Sequence, residues 1–284
     1  MLMLTLLLCL SGAAFASAQK GKAAPVPTGP LLKRTTTRHE VRRFAYGGTL
    51  TIVGAPQGSI TIEGWTKNEV DITAEIELQA STESDFDRLA AVNNFFFDED
   101  TNHLRILTTG MHDKSFMRQV AKDFPKALLG LPWSINYHIR VPISTDLEIH
   151  AGNGAVGLSG VEGAIVFTAP QTDASLTLLG GIFTATVALG KVSVIIPGRS
   201  WRGSGVVIQL VAGELNVELP AGFSGDIDAD ILRSGKITNT FPGLEVRERP
   251  GLSERIVRGR AGAGGASLKF IVGDGNIFIK KKIE

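Results

Sequence analysis

Short runs of alternating apolar and polar residues recur along most of the chain, each opened by a turn residue. Gly58-Ser-Ile60-Thr-Ile62, Gly154-Ala-Val156-Gly-Leu158, Gly190-Lys-Val192-Ser-Val194, Gly213-Glu-Leu215-Asn-Val217, Gly235-Lys-Ile237-Thr and Gly275-Asn-Ile277-Phe-Ile279 share the form Gly-x-apolar-x-apolar. Asp173-Ala-Ser175-Leu-Thr-Leu178 repeats it with Asp in the glycine slot. A period of two puts the apolar set on one face of a strand. The turn slots at 154, 173, 190, 213 and 235 are 19, 17, 23 and 22 residues apart. A period of about 20 residues is a solenoid length, in which one unit cannot bury its apolar side alone but stacked units can. Offset strands fall between the turns at 164–167, 182–185 and 205–208. An antiparallel sandwich also shows strands at roughly 8–12-residue spacing. The recurring glycine signature favours an all-β, solenoid-like stack of short strands.

The repeat is interrupted in the N-terminal half. Residues 69–78 alternate strongly and predict a strand. Residues 84–92 predict a short helix capped near Thr82 or Ser84, and 94–98 with 103–108 predict a hairpin. Residues 111–131 predict an inserted amphipathic helix: Lys114, Arg118, Lys122 and Lys126 recur every four residues, Phe116, Val120 and Phe124 fill another stripe, and Pro125 limits it.

The start of the chain changes the picture of where the protein works. Residues 1–18, an apolar run followed by small residues with Ala14-Phe-Ala16 and Ala16-Ser-Ala18 cleavage sites, have the layout of a secretory signal peptide. The run is too short to span a membrane. Residues 19–37 read as a Pro/Gly/Lys linker, and 38–284 as the β-strand-repeat domain. The expected location is therefore exported: periplasmic, outer-envelope associated or secreted.

Composition adds exclusions. The formal net charge is +1, with 29 Lys and Arg against 28 Asp and Glu. A nucleic-acid binder would carry a basic excess, so no nucleic-acid partner is expected. Hydrophobic residues make up 43% of the chain, enough for a core. The 33 glycines are a surplus over the average of about 7% and sit largely at the turn slots. The single cysteine, Cys9, lies inside the leader, so no disulfide staples the mature chain.

The segment Val141-Pro-Ile-Ser-Thr-Asp-Leu147-Glu-Ile-His-Ala-Gly-Asn153-Gly154-Ala-Val156 resembles the bacterial putative adhesin family, a domain of unknown function with β-strand repeats. Leu219-Pro-Ala-Gly-Phe223, Asp226-Ile-Asp-Ala229, the glycine-rich 259–268 and Gly273-Asp-Gly-Asn-Ile277 are similar to its later motifs, and 58–65 fits as well. Ala151 stands where the family commonly has Thr or Ser. The resemblance spans about Arg38 to Lys282. It implies a right-handed β-solenoid or β-helix-like fold in an exported protein, and it transfers no catalytic, cofactor or metal residues.

Candidate chemistry is sparse. Asp226, Asp228 and Asp230 share one face of a strand, roughly 6.6–7 Å apart. Such a row could hold a cation or serve a polysaccharide lyase or hydrolase; the simpler reading is a solvated outer face. His39, His103, His112, His138 and His150 are dispersed, without metal-ligand spacing. Ser204 and Ser224 do not fit a hydrolase elbow, Gly190-Lys191 lacks the features of a phosphate loop, and 261–266 lacks a dinucleotide fingerprint. Trp65, Trp133 and Trp201 could stack sugars, with packing as the default. The basic stripe could touch anionic lipid or polysaccharide, and with Lys280, Lys281 and Lys282 it could instead cover the ends of the stack. The expectation is a non-enzymatic, envelope-associated binding or structural module, without cofactor or metal, whose partner is a cell-envelope polymer, a glycan or another surface protein. The alternative is a carbohydrate-active enzyme on a β-helix scaffold, centred on Asp226, Asp228 and Asp230.

Overall fold

The computed structural model describes residues 30–120, 123–246 and 254–282. The leader 1–18 and most of the expected linker lie outside the described residues. In chain order the elements begin with β1 (Leu32–Arg43), β2 (Thr49–Val53), β3 (Ile60–Trp65), β4 (Glu69–Ala80) and α1 (Glu83–Val92). Next come β5 (Asn94–Asp100), β6 (His103–Thr109), α2 (Lys114–Val120), a 3-10 turn (Lys126–Leu128) and β7 (Trp133–Pro142). Then follow β8 (Asp146–His150), β9 (Val156–Ser159), β10 (Gly163–Thr177), β11 (Gly181–Ile195) and β12 (Gly205–Leu219). The chain closes with β13 (Gly225–Ser234), β14 (Ile237–Asn239), β15 (Leu244–Val246), β16 (Ile256–Ala261) and β17 (Ser267–Lys281). β1 starts at Leu32, inside the span 19–37 read as linker.

The protein is all-β, and its strands join in one 17-stranded sheet. The sheet consists of two ladders that share their long strands. The first ladder runs β5–β6–β2–β8–β10–β11–β12–β17–β13–β16–β15. The second runs β1–β4–β7–β3–β9–β10–β11–β12–β17–β14. Each long strand serves the first ladder with its first half and the second with its second half.

The switch is visible in burial. In β10 the inward residues are Ile165, Phe167 and Ala169, then Thr172, Ala174 and Leu176. The parity changes because Pro170 and Gln171 both face out. β11 does the same with Ala188 and Leu189 between Phe183, Ala185, Val187 and Val192, Val194. Two successive outward residues turn the chain around a corner, so both halves keep their apolar side on a single core.

The corner explains the glycine slots. Gly190, Gly213 and Gly275 pair with one another in register and have φ of 137°, 140° and 136°. A Cβ on Gly213 would be driven into the carbonyl oxygen of Gly190, and one on Gly275 into that of Gly213. Positive φ and this close backbone stacking both demand glycine. The residue of β10 in this column is Thr172, paired with Gly190, so the slot assigned to Asp173 belongs one residue earlier.

The expected period holds only in the middle. Leu147 pairs with Ile165, Gly163 with Gly181 and Ile182 with Gly205, offsets of 18, 18 and 23 residues. At both ends the order in the stack departs from the order in the chain. β2 and β3 lie between β6/β7 and β8/β9. β17 lies between β12 and β13/β14, so Gly235 sits against Gly275 and not next to Gly213.

The N-terminal elaboration is only partly as expected. α1 is capped by Thr82, whose side chain accepts the Asp85 amide, and the hairpin is β5/β6. The 111–131 segment is not one helix. α2 has seven residues and is followed by the separate 3-10 turn, with Pro125 as that turn's N-cap. Ala121 and Lys122 lie outside the described residues. β1 lays Arg34, Arg38 and Arg42 over the rings of Phe86, Phe95 and Phe97, at 4.6, 4.2 and 4.5 Å. Because these arginines recur on one face of β1, the edge strand is tied onto α1 and β5.

Candidate functional site

The outward side of the first ladder carries three successive zones. At its N-terminal end the dispersed histidines are drawn together. Arg105 donates to His103 Nδ1 (2.8 Å), His103 Nε2 donates to Thr51 (2.7 Å) and Thr51 donates to Glu148 (2.9 Å). Glu148 also lies 3.1 Å from His150 Nε2, and His150 Nδ1 lies 2.9 Å from the Thr168 hydroxyl. This polar chain crosses β6, β2, β8 and β10. The hydrogen bonds from Thr51 and then His150 hold the Glu148 carboxyl below its ordinary pKa. Asp100 and Asp98 flank Arg105 at 3.0 Å each.

The middle zone is different. On β10, β11 and β12 the register sets Ala164, Ile182 and Gly205 in one row, Val166, Thr184 and Val207 in the next, and Thr168, Thr186 and Gln209 in a third. No ionisable side chain occurs at these nine positions. Val166 and Ile182 are 44% and 50% exposed. Neighbouring strands lie about 4.8 Å apart, so the rows form a regular, uncharged platform of Val, Ile and Thr. At the corners of β11 and β12, Leu189 and Val211 are also exposed apolar residues.

The third zone holds the acidic row. Asp226 lies 3.2 Å from Arg260, and Asp228 and Asp230 lie 3.1 and 3.8 Å from Arg258, all across the antiparallel β13–β16 pair. Asp226 and Asp228 line a groove of about 280 Å³ with Arg258 and Arg260. Each carboxylate faces a guanidinium, which gives a ladder of ion pairs along the strands. Among the described residues, no three His, Cys, Asp or Glu side chains gather closely enough to hold a metal ion.

The second ladder faces water with cross-strand charge pairs, including Lys191–Glu214 at 3.0 Å and Lys280–Glu218 at 3.1 Å. At its N-terminal end Asp71, with a side chain only 11% exposed, accepts from Arg140 (2.7 Å) and pairs with His39 (3.0 Å). Burial opposes ionisation of Asp71, but hydrogen bonds from His39 and Arg140 outweigh it and keep its pKa below the ordinary 3.8.

The tryptophans divide. Trp201 is buried and donates to the Gly181 carbonyl. Trp65 is covered by Lys67 and Arg140 and donates to the Glu69 carbonyl. Trp133 stacks on His112 with ring centroids 5.5 Å apart.

No protein-family model matches the chain, and no curated protein matches it. Solved structures similar to it include a "putative cell adhesion protein" from Clostridium sporogenes. That structure is 15% identical, covers 88% of this chain and 100% of its own, and superposes with a TM-score of 0.48. Another is a "putative adhesin" from Bacteroides fragilis, 12% identical over 91% of this chain and 100% of its own, at a TM-score of 0.30. No helix among the described residues is long and apolar enough to cross a membrane.

The uncharged platform escaped the sequence reading, although a signal for it exists. Ile165-Val-Phe167 and Ile182-Phe183 are unbroken apolar pairs and triplets where strict alternation would put a polar residue outward.

Proposed function

We propose that the protein is an exported, non-enzymatic, adhesin-like binding module that docks a glycan or other cell-envelope polymer on the outer face of β10, β11 and β12. The observation that carries this is the platform of Val166, Ile182, Thr184 and Val207, left without charge between Glu148 and His150 on one side and Lys269 with the ion-paired acidic row on the other. A contiguous exposed apolar patch rimmed by polar groups is the usual mark of an interaction site. Threonine hydroxyls and Gln209 supply hydrogen-bonding groups, and the flat strand rows suit an extended ligand. The middle rungs are taken to coil right-handedly, since parallel strands joined by a crossover are nearly always connected that way. The signal-like leader supports export, and the pairing of Asp226, Asp228 and Asp230 with arginine supports a structural role for that row.

The test is retention of the purified protein on a glycan array and on immobilised envelope polymers. Ile182→Arg is expected to lower retention by roughly tenfold, the equivalent of about 1.4 kcal/mol. Ser193→Arg, on the other ladder, should leave it unchanged, with equal thermal midpoints for all variants. Failure of the folded wild type to bind any polymer would remove the reading. Cleavage of a bound polymer by the wild type but not by an Asp226→Asn/Asp228→Asn/Asp230→Asn variant would replace it with a carbohydrate-active enzyme.

A further inference from the structure

A groove of about 720 Å³ lies at the N-terminal corner of the stack, between α2 and the start of β7, well apart from the platform. Its size falls within the range of roughly 300–1,000 Å³ typical of small-molecule sites. Met111, Met117, Leu131 and Trp133 form its walls, and Lys114 and Arg118 stand at its rim. None of the lining residues brings a carboxylate, a side-chain hydroxyl or a side-chain amide. A sugar or a polar peptide buried here would therefore leave most of its hydrogen-bonding groups unmatched, each at the full cost of its desolvation. Thioether side chains, in contrast, adapt to a flexible aliphatic chain. Partial burial lowers the pKa of His112, with Asp113 opposing it, and the ring lies tilted against Trp133 beside the groove.

The rim supplies the second half of the argument. Lys114 and Arg118 are four residues apart on α2 and so share one side of the helix. Both are exposed, and the only bond recorded between them runs from Arg118 Nε to the Lys114 carbonyl. Neither makes an ion pair with a described residue, whereas the arginines of β1 nearby, Arg34, Arg38 and Arg42, are all salt-bridged. The neighbouring Asp113 carboxylate feels the Arg118 charge, but it is engaged by the Ser115 and Phe116 amides. Two cations without an ion-pair partner among the described residues thus stand beside an apolar trough and complement a ligand with one anionic end and one aliphatic end.

We propose that this groove binds a long-chain carboxylate, with its aliphatic chain along Met111, Met117, Leu131 and Trp133 and its head group at Lys114 and Arg118. This site is separate from the polymer-binding face and does not depend on it.

The experiment titrates the full mature chain with sodium dodecanoate and with 1-dodecanol, both below their aggregation limits, by calorimetry and tryptophan fluorescence. Saturable one-to-one binding of dodecanoate is expected, with dodecanol weaker. Lys114→Gln/Arg118→Gln should weaken dodecanoate by roughly tenfold and leave dodecanol unchanged, since only the carboxylate meets the two exposed charges. Trp133→Phe should abolish the fluorescence change. Circular dichroism and the thermal midpoint establish that each variant is folded. Absence of saturable binding to the wild type would overturn the proposal. So would an unchanged dodecanoate preference in the double variant, or a fluorescence response that survives Trp133→Phe. Binding to anionic vesicles without binding to monomeric dodecanoate would also overturn it, assigning the cations to membrane docking instead.

Discussion

The middle of the stack and its two ends are held together by different means. From β8/β9 to β12, each rung lies next to the one that follows it in sequence, offset by about one repeat. At the ends, the neighbour of a rung comes from far away in the chain: Thr49 pairs with Asp146, and Gly205 with Ser267. The middle is thus specified by a local code of alternation and corner glycines. The ends are specified by strands threaded between others, with antiparallel additions (β1, β4 and β5 at one end, β15 and β16 at the other) outside them. A purely sequential stack would finish on an open parallel edge, which invites pairing with another chain. The inserted strands and the charged outer strands answer that liability where a repeat cannot.

The comparison is broken most severely by removing an inserted strand. A chain stopped after Ala266 lacks β17, which leaves β12 and β13 each with one open edge and removes the strand that β14 pairs with. It should lose the cooperative urea transition of the C-terminal half and elute as aggregate on size exclusion; a soluble monomer with one intact transition would contradict the topology. In the middle, Gly213→Ala combines an unfavourable φ with a Cβ forced into the Gly190 carbonyl. The expected cost is about 3–5 kcal/mol, read as a lowered urea midpoint. At the N-terminal end, Asp71→Asn should cost about 1–3 kcal/mol at pH 7, because it weakens charge-assisted hydrogen bonds at a nearly buried site. The folded pKa of Asp71 is lowered, so its contribution is present above the unfolded value near 3.8 and is lost as pH falls through the folded one. The gap between wild type and variant should therefore close below about pH 4; a constant gap would mean that packing, not charge, is responsible. The smallest effect is expected for Glu214→Gln on the exposed second ladder, below about 0.5 kcal/mol after solvent screening.

How much of this was legible in the sequence follows the same division. The alternation around Val192, Leu215 and Ile277 correctly places strands, and the glycines ahead of them correctly mark corners. The order of rungs was not legible there. Gly213 and Gly235 are 22 residues apart, which looks like one more repeat, yet Gly275 stands between them in space. Alternation specifies which face a residue takes and says nothing about which strand lies beside it. Thr172 illustrates a related limit, since a β-branched residue fills a slot that glycine fills elsewhere, and the neighbouring Asp173 is the more turn-like residue in the sequence. The candidate site was less visible still. His103 and His150 are 47 positions apart, and only the pairing of β2 with both β6 and β8 brings them into one hydrogen-bonded chain. The groove under α2 depends on where a seven-residue helix stops, and Pro125 sets a limit to that helix without fixing its end.

The position of β17 has a consequence for the order of assembly. Its partners β12 and β13 are complete once residue 234 has been made, but their seat stays vacant until the last 15-residue strand is delivered. Non-local closure of this kind is slow, because the entropy of a long loop is lost before any contact repays it. Until β17 docks, the facing parallel edges of β12 and β13 both stay open, and an open edge invites pairing with another chain. One strand thus acts as a keystone, closing two edges whose own residues are already in place.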